Sequence, residues 1–80
     1  MYMVINNYQS NETLPYVVSV VDIFSTFDDA MKAAKDNAED AMVNEYAEKY
    51  SVDEIEMETA SSSVYIKGPG FIDWWNIIKV

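Results

Sequence analysis

Carboxylates are the residues of this sequence with the most chemistry to offer. Fourteen Asp and Glu stand against five lysines, with no histidine, cysteine or arginine, and the formal net charge is −9 at pH 7. General base work usually falls to histidine, nucleophilic attack to cysteine or an activated serine, and phosphate clamping to arginine. None of these is on hand, and the serines have no base partner. Paired carboxylates alone can hydrolyse a glycoside, but that chemistry needs a substrate cleft larger than an 80-residue domain readily encloses. Asp36, Glu39 and Asp40, at i, i+3 and i+4, could share a hard cation. The alternating Asp/Asn ligands around a glycine that make a calcium loop are absent, so weak, nonspecific association is expected rather than a dedicated metal site. Gly68-Pro69-Gly70 lacks the Lys-Ser/Thr of a phosphate loop and reads as a turn. The expectation is a non-enzyme without a cofactor.

The acids are not spread evenly. Eleven of the fourteen lie between Asp28 and Glu58, with three lysines among them, a local charge of −8. Such a run ordinarily forms a solvated face. Like charge at this density also costs stability through self-repulsion, and it favours basic partners over nucleic acid or anionic membranes.

Helical spacing must position most of these groups. Ser25–Tyr50 is the long stretch with helical periodicity, and Ser25 with Asp28, or Thr26 with Asp29, can cap its start. Phe27, Met31, Ala34, Ala38, Ala41 and Met42 form an apolar stripe at steps of three and four, leaving Asp28, Asp29, Asp36, Glu39 and Asp40 on the other side. Asp28–Lys32 and Glu45–Lys49 have the spacing of ion pairs. After Met42 the stripe meets Glu45, Glu48 and Lys49, while Val43, Tyr46, Ala47 and Tyr50 fall on the opposite face. Either the helix bends or ends near Asn44 and its tyrosines return to the core, or it runs straight and exposes a Val43-Tyr46-Tyr50 patch.

Strands flank this helix. Residues 2–8 are aromatic and β-branched, QSNETLP (9–15) is a hairpin loop, and YVVSVVDIF (16–24) is a central strand with both faces at least partly covered. In 54–59 Glu54, Glu56 and Glu58 alternate with Ile55 and Met57, the pattern of a strand with one wet face. VYIK (64–67), the turn at 68–70 and a last strand near 72–79 follow. With 54–59 left open as a paired strand or an unpaired segment, the order is that of an α+β, ββαββ-type single domain over 1–80: an antiparallel sheet of three to four strands with one long helix packed on one face. Trp74 and Trp75 must face opposite ways on a strand, so that one ring enters the core and the other covers the far face or anchors a partner. The chain has no membrane-spanning apolar run and its start does not look like a signal peptide, so it reads as soluble and cytoplasmic.

YMVINNY, FSTFDDAMKAAKDNAE and the closing SVYI, turn and WWNIIKV together resemble the small acidic proteins of bacteriophages. The resemblance is one of layout over nearly the whole chain. Some of those proteins inhibit host defence, as anti-CRISPR proteins or DNA mimics do, so the resemblance raises the expectation of a protein inhibitor and transfers no site residues. The resulting expectation is a non-enzymatic binder of a basic protein surface, contacting neither nucleic acid nor membrane. Asp29, Asp36, Glu39, Asp40, Glu54 and Glu56 would steer it, with Tyr46, Tyr50 or a tryptophan as anchor. The alternative is a homodimer or larger assembly built on Val43, Tyr46 and Tyr50, with an acidic face that only confers solubility. A third class, sequestration of a small ligand between subunits, suits an anionic nucleotide poorly without arginine or histidine.

Overall fold

The computed structural model describes residues 1–11 and 17–80. Among them the chain forms β1 (Tyr2–Ser10), β2 (Val17–Phe24), α1 (Phe27–Ala41), a wide π turn (Met42–Tyr46), β3 (Glu56–Thr59), β4 (Ser63–Gly68) and β5 (Phe71–Lys79). All strand pairs are antiparallel and the sheet runs β2-β1-β5-β4-β3. The α+β class stands, but the sheet has five strands rather than three to four, because the alternating acidic segment pairs with β4 and extends the order to ββαβββ. That strand starts at Glu56; Glu54 belongs to the turn before it. No helix is long and apolar enough to cross a membrane among the described residues. The loop expected over 9–15 and the strand start at Tyr16 fall largely on residues 12–16, outside the described residues, while Gln9 and Ser10 extend β1.

Helix α1 covers one face of the sheet. Thr26 is its N-cap, accepting from the Asp29 N–H at 3.1 Å, so the second of the two caps open to the sequence is the one used. Ala30, Ala34 and Ala38 are fully buried against Val4, Val64, Ile66, Trp75 and Ile77. Small side chains at these contacts let the helix lie close to the strands, at the cost of little apolar area per residue. Ala30, outside the expected stripe, belongs to its centre, while Phe27, Met31, Ala41 and Met42 pack around the margin.

Strand β2 is an edge, not the central strand its apolar run suggests. Its register to β1 shifts between Val4↔Asp22 and Ile5↔Val20, leaving Val21 as an extra residue. This β-bulge breaks the strict alternation. Val21 turns towards the core, whereas Val18, Val20 and Ile23 lie opposite Asn7, Ile5 and Met3 on the sheet face away from α1 and are 46–60 % exposed. The strand is therefore not covered on both faces.

At the β4–β5 connection Pro69 and Gly70 (φ 75°) supply the preset and the left-handed backbone of a tight turn. Gly68 has a different role: a Cβ there would overlap the Phe71 ring and press on Ile55. Replacing Ala34 by leucine tests the close helix-to-sheet seam. Inserting methylenes at a fully buried site should destabilise by about 1–3 kcal/mol in urea unfolding, with the m-value unchanged.

Candidate functional site

The break in helical periodicity is resolved by the π turn. On a straight α-helix Tyr46, sixteen residues after Ala30, would stand roughly 160° around from it. Between Met42 and Ala47 the chain instead makes an i→i+5 bond, Ala47 N–H to Met42 C=O at 2.8 Å, and the wider turn takes back much of that rotation. Tyr46 then lands on the sheet, 3 % exposed, while Val43 is left 66 % exposed. Its ring stacks on Phe71 at 4.7 Å, and Tyr50 and Tyr8 lie against the same ring at 5.3 and 6.2 Å. The Val43-Tyr46-Tyr50 surface patch does not form: Tyr46 is core, Tyr50 is half-buried, and neither is presented as an anchor.

Tyr46 carries a polar group inwards with it. Its hydroxyl donates to Asp73 Oδ2 at 2.7 Å, and Asn6 Nδ2 donates to Asp73 Oδ1 at 2.7 Å. Asp73, from the central strand β5, is 5 % exposed. Burial pushes its carboxyl above the ordinary aspartate value, against the two hydrogen bonds that favour the charged form. The Tyr46 phenol is pushed far up, by burial first and then by the carboxylate it bonds. The tyrosine stays neutral and donating.

Asp73 lies at the base of a cleft of about 660 Å³ between the C-terminal half of the helix and β1–β2. Asp40 and Glu45 stand on its helix side, Asn6, Asn37, Asn44 and Ser19 add amides and a hydroxyl, and no lysine is among its described lining residues. Asn44 is tied to Asp40 by a 2.7 Å bond, and Asn37 to the Ala33 carbonyl at 2.8 Å. The arrangement suits an ammonium or guanidinium group, with a negative field and several acceptors. No group of three acids converges as a metal ion requires among the described residues.

The sequence-predicted acids divide into two sets. Asp29, Asp36 and Asp40 recur at steps of seven and four and form one exposed ridge on α1, with Glu39 beside it. Lys32 pairs with Asp36 at 3.1 Å rather than with Asp28, in an exposed contact worth little to stability. Glu56 is elsewhere. Paired with Lys67, it projects from the sheet face opposite α1, with Glu58 beside it, so helix and strand acids do not make one continuous surface. Hydrogen bonding to Glu58 raises the Glu56 carboxyl, while the Tyr65 hydroxyl lowers that of Glu58. Glu54 is occupied locally, accepting from the Ser51 N–H and hydroxyl at 3.1 Å.

Sequence reasoning passed over Asp73. The signal was present in Phe71, Asp73, Trp75 and Ile77: alternate residues of β5 share a face, so the acid lies among apolar partners and must be paired inside.

Asp73→Asn retains two bonds, since Asn6 can still donate to its oxygen while its own amide donates to the Tyr46 hydroxyl, and it removes the buried charge. Because the native Asp73 carboxyl is raised, the folded chain holds its proton to higher pH than the unfolded one. The stability contribution of Asp73 is thus full below the ordinary aspartate range, near 3.9, and falls as pH rises through the raised value. Melting temperatures across pH should show Asp73→Asn at its greatest advantage over wild type near neutrality, shrinking on acidification. Tyr46→Phe should instead destabilise by about 1.5–3 kcal/mol at neutral pH, having stripped a charged acceptor of its donor. No protein family model, curated protein or solved structure matches this chain, so the ridge and cleft are read on their own geometry.

Proposed function

We propose that the chain is a non-enzymatic, acidic protein-binding inhibitor that occupies a basic surface of a protein handling nucleic acid. A host-defence target would fit the layout it shares with small acidic phage proteins. The observation that carries this reading is the ridge of α1 and the cleft at its end. Asp28, Asp29, Asp36, Glu39 and Asp40 are all exposed. Twelve helical residues extend over about 18 Å, and one strand of B-DNA carries roughly five phosphates over that length. Lys32 and Lys35 offset part of this charge. Beyond Asp40 the cleft offers Glu45 and Asp73 to a lysine or arginine reaching past the ridge.

Such binding is steered by charge, so it weakens with salt and competes with nucleic acid. The test is affinity capture from bacterial lysate at low salt with stepwise salt elution, followed by competition with duplex DNA for the captured protein. A partner that duplex DNA displaces should elute at moderate salt. Triple reversal of Asp36, Glu39 and Asp40 to lysine should weaken the complex at least about tenfold at low salt. Equal affinity at high salt, or full retention by the triple variant, would sink the proposal.

A further inference from the structure

The sheet face opposite α1 carries a second feature, independent of the acidic ridge. Register places Val18 and Val20 of β2, Ile5 of β1, and Ile72, Trp74 and Ile78 of β5 on this face, with the amides of Asn7, Gln9 and Asn76 among them. No helix or strand among the described residues packs over it. Its charged residues, Lys67, Glu56 and Glu58, stand on β4 and β3 at one margin. A shallow groove of about 520 Å³ runs across it, lined by Gln9, Ser63, Tyr65 and Asn76 as well as Ile72 and Trp74.

We infer that this face is the interface of a symmetric homodimer in which two sheets pack face to face, with the apolar parts of β2, β1 and β5 overlapping. Three considerations favour a second copy over another occupant. The first is area. Three strands about 4.8 Å apart and some eight residues long present roughly 380 Å², so two copies bury about 760 Å², the size of a weak, concentration-dependent contact. The second is charge. A basic partner finds no carboxylate in the middle of this face, whereas an uncharged surface of aliphatic side chains and amides, which both donate and accept, can be its own complement about a two-fold axis. The third is repulsion between two chains of net charge −9. Face-to-face packing puts the acidic helices on the outer layers, roughly 30 Å apart at about 10 Å per layer, beyond a screening length of about 8 Å at physiological salt. Offset towards β2, the pair leaves Glu56 and Glu58 in water.

Light scattering coupled to size exclusion, from about 1 μM to about 1 mM protein, tests this in the full chain. The expected mass rises to twice 9.1 kDa with concentration and persists at about 0.5 M salt, where residual repulsion is screened. Val20→Lys and Ile78→Lys replace residues 60 % and 42 % exposed in the single chain, so circular dichroism should be unchanged. Each should weaken dimerisation at least about 100-fold by burying an unpaired ammonium. Ile78 lies two strands in from the β2 edge, so loss with Val20→Lys alone would mean edge-to-edge pairing and overturn the proposal. A wild-type mass of 9.1 kDa throughout would do the same, as would a dimer indifferent to both variants.

Discussion

Asp73 is held where three parts of the chain meet. Its carboxylate receives one hydrogen bond from Tyr46 in the π turn and one from Asn6 in β1, and it belongs itself to the central strand β5. An ion at this depth is tolerated only with its acceptors filled, since desolvation is costly. The two donors are therefore a geometric requirement on the fold. Tyr46 can meet it only if the helix winds wide before reaching it, and the stacking of Tyr46, Tyr50 and Tyr8 on Phe71 holds the same segment against the sheet. Gly68 keeps space for the Phe71 ring. The end of the helix, the shape of the cleft and the hairpin beneath it are thus coupled through one aromatic cluster and one carboxylate.

That coupling bears on binding. A cleft whose floor is a buried charge has a fixed negative field before any partner arrives, and its acceptor is already oriented. The exposed ridge of α1 is different in kind: its carboxylates are solvated, and contribute to encounter more than to residence. Ridge and cleft adjoin at Asp40, which belongs to both. A partner's long basic side chain could be drawn in by the first and held by the second.

The sequence made much of this legible and concealed the rest for identifiable reasons. Helical spacing up to Met42, the alternation of Glu56, Met57 and Glu58, the turn at Pro69-Gly70 and the opposite facing of Trp74 and Trp75 all follow from regular periods, and the structure keeps them. Tyr46 was obscured because a single i→i+5 turn changes the angular step, which a constant 3.6-residue period cannot represent. β2 looked central because a bulge at Val21 and an exposed apolar face together imitate a strand covered on both sides. The acidic face divided for a topological reason: β3 joins the edge far from β2, and the parity of its pairing with Lys67 turns Glu56 away from α1.

The two faces of the sheet also bear on each other energetically. On the covered face three alanines form the seam with the helix, so the core is closely packed but small, and a domain of 80 residues has little stability to spare. Concentrating acids on α1 reduces that margin further through self-repulsion. Meanwhile valines and isoleucines that could have enlarged the core lie on the other side of the sheet. Burying that side against a second copy would stabilise the folded state by mass action without changing a contact in the existing core. It would also leave both acidic ridges facing outwards, so that association and binding to a basic surface would draw on separate faces of one sheet-and-helix layer.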